Sequence, residues 1–130
     1  MILLDSNLII HYLKGNEPAT SRIKSANPAG VALPTVVVYE LEYGTLRFAG
    51  AKRRAILDAV ILAFNQAPFD LAAARESARI RFDLEKRGDV IGPMDLMIAG
   101  TALSRGAILA TNNTKEFSRV KGLRLEDWTK

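Results

Sequence analysis

With 130 residues, 48% of them hydrophobic, the chain is long enough to bury a core and is expected to form one domain over residues 1–130. No run reaches the roughly 18 to 20 apolar residues of a membrane span, and no basic segment precedes an apolar leader, so a cytoplasmic protein with no membrane partner is expected. The absence of cysteine excludes disulfides and thiolate metal sites, and the single histidine, His11, excludes paired-imidazole catalysis and His-rich zinc sites.

The net charge of +4 is unevenly placed. Residues 1–46 hold three basic and four acidic side chains, whereas residues 47–130 hold fifteen basic and ten acidic ones. A basic half of this kind suits an anionic partner such as nucleic acid.

Met1-Ile2-Leu3-Leu4 is too short for a helix and shows no polar alternation, which predicts a strand buried on both faces. It ends on Asp5, and Leu8 to Lys14 follow with helical spacing, stopped by Gly15-Asn16. Glu17 to Ala26 is a second short helix, closed by the turn cluster Asn27-Pro28-Ala29-Gly30. Val31 to Leu33 is another buried strand. Thr35 is a candidate cap for a helix over Val36–Phe48, in which Gly44 costs about 1 kcal/mol relative to Ala and therefore predicts close packing nearby. Gly50 closes that helix, and Lys52–Phe64 carries the apolar stripe Ile56, Leu57, Val60 and Ile61.

Ala67-Pro68-Phe69 reads as an edge piece, because proline cannot donate to a sheet ladder. Asp70 is the N-cap and Gly88 the C′ residue of the longest helix, Leu71–Arg87. Leu71, Ala74, Ala78 and Phe82 are assigned to its inner face, and Arg79/Asp83 and Arg81/Glu85 to outer pairs worth about 0.3 kcal/mol each. Gly92-Pro93 opens a helix from Met94 to Arg105. Ala107 to Ala110 is a third buried strand, stopped by Thr111-Asn112-Asn113; a turn at Glu116-Phe117 and an edge strand near Leu123–Leu125 complete the chain. Strands alternating with helices predict an α/β fold with a parallel sheet between two helical layers.

In such a fold ligands gather outside the carboxyl ends of the strands, where Asp5 sits. Glu40, embedded among Val36-Val37-Val38-Tyr39 and Leu41, and Asp95, in the first turn of its helix, are the acids placed to meet it, while Glu42 points to another face. Each alone also has a purely structural explanation as a cap, a solvated acid or a helix-dipole partner. Thr111, Asn112, Asn113 and Glu116 add oxygens at the end of the Ala107–Ala110 strand. Oxygen donors without His or Cys select hard cations, Mg²⁺ or Mn²⁺, and several carboxylates share a pocket only with a cation or raised pKa values to compensate them.

Leu4-Asp5-Ser6-Asn7, Glu40-Leu41-Glu42-Tyr43-Gly44, Gly92-Pro93-Met94-Asp95-Leu96-Met97-Ile98-Ala99 and Thr111-Asn112-Asn113-Thr114-Lys115-Glu116-Phe117 resemble, in that order, the signature blocks of the PIN-domain family, and within it the VapC branch of toxin–antitoxin pairs. The resemblance implies a PIN-like fold, a parallel sheet of about five strands between helices, and cleavage of RNA with Mg²⁺, for which Mn²⁺ substitutes. It implies Asp5 and Asp95 as principal metal ligands, Glu40 as the third acid, and Thr111 with its hydroxyl near the attacking water. The family's fourth acid falls at Asn113 here, so either Glu116 stands in for it or the amide positions water without charge. The closing Leu123-Arg124-Leu125-Glu126-Asp127-Trp128 is similar to the subgroup that cuts initiator tRNA in its anticodon stem-loop. Implied partners are that RNA, a VapB-type antitoxin, a second copy of the chain, toxin–antitoxin hetero-oligomers, and DNA through the antitoxin alone.

Two rival chemistries remain. Aspartyl-phosphate transfer of the haloacid-dehalogenase type wants a second aspartate two residues after the first, and position 7 is Asn. A catalytically weak PIN-like module that acts by binding antitoxin and DNA is favoured by the departure at Asn113.

Overall fold

The computed structural model describes residues 1–48 and 50–130. Strands β1 (Ile2–Leu4), β2 (Val31–Pro34), β3 (Asn65–Ala67), β4 (Ile108–Ala110) and β5 (Arg124–Glu126) form one sheet in the order β3-β2-β1-β4-β5. Every pairing is parallel. The central strands carry apolar residues on both faces, as the sequence predicts, with Leu3, Leu4, Leu33 and Leu109 fully buried.

Helices α1 (Ser6–Leu13) and α2 (Ala19–Ser25) connect β1 to β2, and α3 (Thr35–Phe48) and α4 (Ala51–Ala63) connect β2 to β3. The chain then reverses direction through α5 (Leu71–Arg87) and α6 (Pro93–Ser104) to reach β4, and α7 (Thr114–Phe117) leads to β5. Right-handed crossovers therefore place α1–α4 on one face and α5–α7 on the other. The reversal leaves a crevice between the carboxyl ends of β1 and β4, the topological switch point at which open α/β sheets bind ligands. No helix among the described residues is long and apolar enough to cross a membrane.

Most predicted boundaries lie within two residues of the observed ones, and the Val36–Val38 run is helical. Asp70 caps α5 by accepting from the Ala73 amide at 2.9 Å, and Gly88 closes it at φ +71°. Thr35, expected as a cap, is the first residue of α3, and its hydroxyl accepts the Phe69 amide at 3.1 Å. Gly50 adopts extended backbone and serves as the N-cap of α4.

The inner face of α5 differs from expectation. Ala73, Ser77, Ile80 and Leu84 are buried, whereas Leu71 and Phe82 are 64% and 65% exposed. Small residues set the phase: Gly100 of α6 lies against Ala73 and Ser77, so the helices approach too closely for a large side chain at the crossing. A Cβ on Gly100 would lie 2.8 Å from both the Ala73 carbonyl oxygen and the Ser77 nitrogen, and would overlap the Ser77 hydroxyl. Gly44, where close packing was expected, has open space around it. The outer ion pairs shift as well: Arg79 pairs with Glu76 and Asp83 with Arg87, while Arg81 and Glu85 pair as expected.

Gly100→Ala should therefore destabilise the fold by about 1–3 kcal/mol, the usual cost of overpacking a core. Denaturant unfolding of the variant beside the parent measures it, and equal midpoints would show that this glycine does not set the helix spacing.

Candidate active site

The site is built from the ends of β1 and β4. The register Leu4↔Ala110 makes Asp5 and Thr111 the next pair along the ladder, and the Asp5 amide donates to the Ala110 carbonyl at 3.0 Å. Asp5 also caps α1, with its Oδ1 accepting from the Ser6 amide at 2.8 Å. Its Oδ2 accepts from the Thr111 hydroxyl at 2.7 Å, and that hydroxyl in turn accepts from the Asn113 amide at 2.9 Å. Asp5 is 2% exposed and Thr111 fully buried. Burial pushes the Asp5 carboxyl above its ordinary pKa, against the opposing pull of the bonds from Thr111 and Ser6.

Glu40 comes from the second turn of α3, the helix that leaves the neighbouring strand β2. One carboxylate oxygen, Oε1, is buried without a hydrogen-bond partner. Burial raises its pKa, the charge of Asp5 raises it further, and the Ser6 hydroxyl opposes both. Asp95 enters from the other helical layer. Gly92 is extended, Pro93 starts α6 with the right φ, and buried Leu96, Ile98 and Ala99 fix the helix so that its first turn faces the crevice. The Asp95 carboxyl is pushed up to about 6, first by burial, then by Asp5, Glu116 and Glu40, and by a hydrogen bond shared with Glu116.

The structure thus brings Asp5, Glu40, Asp95 and Glu116 into one electrostatically coupled group. Asn113, at the family's fourth acidic position, donates from its side-chain amide to Glu116 Oε2 at 3.3 Å. The Thr111 hydroxyl, implied by the resemblance to lie near the attacking water, donates to Asp5 and accepts from the Asn113 amide. Glu42 faces away, in a bidentate ion pair with Arg54 at 2.8 Å for both oxygens. His11 likewise stays out of the site, with Nδ1 3.3 Å from the Asn16 side-chain nitrogen.

Ser6 was missed by sequence reasoning, although it touches two of the acids. The available signal was its position as the hydroxyl residue directly after a strand-ending aspartate, at the first turn of a helix.

None of the ion pairs among the described residues involves any of the four acids. Nor are any three acidic, His or Cys side chains among those residues drawn in closely enough to make a finished metal cage. The donors nevertheless fit a hard cation. All are oxygens, their charges lack a counter-charge, and the orphaned Glu40 Oε1 has a free acceptor position. A cation would complete the closure by drawing together carboxylates that otherwise repel one another.

A PIN-domain family profile matches residues 2–123. A tRNA(fMet)-specific endonuclease VapC of Shigella flexneri is 40% identical over 129 residues, covering 98% of this chain and 97% of the relative. Ribonuclease VapC2 of Haemophilus influenzae is 30% identical and covers 97% and 96% of the two chains. Among solved structures, a chain of the DNA-bound VapBC of Salmonella typhimurium superposes with a TM-score of 0.90 at 34% identity, covering 98% of this chain and 97% of that one. Fold, signature blocks and similarity along nearly the whole length agree, and this chain belongs to the VapC branch of the PIN-domain family.

Proposed function

We propose that the chain is the toxin of a type II toxin–antitoxin pair, a Mg²⁺-dependent endoribonuclease that hydrolyses RNA phosphodiester bonds, with Mn²⁺ able to substitute. The observation that carries this reading is the gathering of Asp5, Glu40, Asp95 and Glu116 at the switch point without a cationic side chain to offset them. Their mutual repulsion opposes folding, which makes sense where the charges serve a ligand. The substrate reading is initiator tRNA, supported by the name of the Shigella relative, and the cut in its anticodon stem-loop rests on the resemblance of the closing block alone.

Asp5, Asp95 and Glu40 would hold the metal, which when bound supplies Lewis-acid polarisation of phosphate oxygens and a more acidic water. The protein's own part is orientation and proton holding. Ser6 and Thr111 fix both oxygens of Asp5, so its outward lone pairs keep one direction. Burial and the neighbouring acids push Asp95 up to about 6, so the proton it holds in mildly acidic solution has mostly left at neutral pH, where the carboxylate can act as a ligand. Asn113 holds Glu116 by its side-chain amide.

The partner reading is a VapB-type antitoxin, supported by the VapBC assemblies among the structural relatives. A groove of about 280 Å³ lined by Tyr12, Leu13, Lys14, Lys24, Lys52 and Ile56 would suit an acidic segment with apolar side chains. The chain would act as a homodimer and in toxin–antitoxin hetero-oligomers, meeting DNA only through the antitoxin. A second reading, a weakly catalytic module that acts by binding, is favoured by Asn113 at the family's acidic position.

Cleavage of RNA by the purified chain should vanish with EDTA and return with Mg²⁺. Asp5→Asn and Asp95→Asn should each lose more than about 100-fold in rate, whereas Thr111→Val, which removes only support for Asp5, should lose about 10–100-fold. Cleavage that survives EDTA or either aspartate variant would remove the metal site, and an inactive parent would favour the binding module.

The same repulsion predicts a stability change. Because the folded-state pKa of Asp95, about 6, exceeds its unfolded value, its contribution is fully present below the unfolded pKa and is lost as pH rises through about 6. Without metal, Asp95→Asn should therefore be more stable than the parent at pH 8 by about 1–2 kcal/mol after discounting for solvent screening. The advantage should shrink toward pH 4. Urea unfolding at both pH values measures it, and an equal or lower stability of the variant at pH 8 would contradict the coupling of the acids.

A further inference from the structure

Two arginines outside the acid cluster join the segments that carry half of it. Asp95 stands in the first turn of α6, which begins at Gly92 without a side-chain cap. Glu116 stands on α7, whose four residues make a single turn, too little to be stable alone. Buried Phe117 and Val120 seat α7 on the core. A polar link then runs from the end of α7 to the loop before α6. The Arg119 amide donates to the Glu116 carbonyl at 3.1 Å, and its guanidinium Nη1 donates to the Val90 carbonyl at 3.0 Å, two residues before Gly92. From the last turn of α5, Arg87 Nη2 donates to the Arg119 carbonyl at 2.7 Å and to Asp83 Oδ2 at 3.2 Å. Asp89 lies beside both guanidinium groups, 3.7 Å from Arg87 Nη1 and 4.0 Å from Arg119 Nε. The end of α5, the loop into α6 and the end of α7 thus form one clasp.

We propose that Arg119 and Arg87 are positioning residues that set the separation of Asp95 and Glu116, and through it the affinity of the acid cluster for a divalent cation. The proposal rests on the metal-dependent reading of the site and adds two residues that touch none of the acids' carboxylates. Asp95 and Glu116 repel each other yet share a hydrogen bond, so their backbones must be held against that repulsion. Groups that orient metal ligands from behind matter nearly as much as the ligands themselves. Neither arginine serves as a counter-charge to the cluster, since their carboxylate partners are Asp83 and Asp89. Nor are they poised for phosphate, because each already directs a donor to a backbone carbonyl. Their side chains are 32% and 30% exposed, and ion pairs at that exposure add little to global stability. The planar fork of arginine suits the task, reaching a carbonyl and a carboxylate at once.

The test titrates the full chain with Mn²⁺ in the absence of RNA and follows the loss of the free-ion signal by electron paramagnetic resonance. Arg119→Met and Arg87→Met keep the apolar stem and remove the donors, and each should weaken Mn²⁺ binding on the order of tenfold. Arg119→Lys, which keeps one donor for the Val90 carbonyl, should restore part of that affinity. Arg81→Met, one turn and a half earlier on α5 in a surface pair with Glu85, should bind like the parent. Urea midpoints of all four variants should stay close to the parent's. In RNA cleavage the methionine variants should lose kcat at subsaturating Mn²⁺ with KM for RNA unchanged, and added Mn²⁺ should recover the rate. Methionine variants that bind Mn²⁺ like the parent would overturn the clasp. A raised KM with Mn²⁺ binding intact would do the same, by making the arginines RNA contacts. So would a loss of Mn²⁺ that only follows a fallen urea midpoint and that lysine does not rescue, since the clasp would then be a general brace. A parent that binds Mn²⁺ while the arginine variants prove indifferent sinks this inference alone; one that binds no Mn²⁺ sinks the metal reading with it.

Discussion

The hydrogen bond from the Thr111 hydroxyl to Asp5 Oδ2 ties together the two strand ends on either side of the switch point. A carboxylate that is 2% exposed would ordinarily be expelled or protonated, and three neighbouring donors make its burial tolerable here. Thr111 spends its hydroxyl twice, donating to Asp5 and accepting from Asn113, so the β1 and β4 ends and the start of α7 are held in one network. Glu40 and Asp95 are arranged around that fixed point from opposite helical layers. The position of the other acids thus depends on a two-residue contact between strands distant in sequence.

The fold and the charge cluster pull against each other. Leu3, Leu4, Ile9, Leu33, Val37, Ile98 and Leu109 are buried beneath the site and supply the hydrophobic stabilisation. Above them, burial raises the pKa values of Asp5, Glu40 and Asp95, and repulsion from neighbouring acids raises those of Glu40 and Asp95 further. A sheet of short parallel strands can hold such a cluster because the acids lie beyond the last ladder pair, on helix starts that the core packs rigidly. The close seating of Gly100 against Ala73 and Ser77 contributes here, since α6 carries both that glycine and Asp95.

Strand ends and capping residues were legible in the sequence, because buried parallel strands are continuous apolar runs and caps follow local chemistry. Asp5 and Asp95 could be placed from these signals, and Glu40 from the improbability of a carboxylate amid valines. The phase of α5 was not legible. Assigning Leu71 and Phe82 inward treats hydrophobicity as burial, while the actual crossing is decided by the smallness of Gly100 and Ser77, a property of two helices together. The approach of Glu116 to Asp95 was likewise closed to sequence reasoning. It depends on α7 turning Glu116 toward Asp95, and that turn is made by a four-residue helix with little periodicity.

The division of charge along the chain bears on how a polyanion could approach such a site. The four acids would repel phosphate, and at short range they outweigh a net charge of +4 spread over the molecule. Under the proposed reading the cation reverses that local sign, so RNA would be held at the acids only when the metal is present.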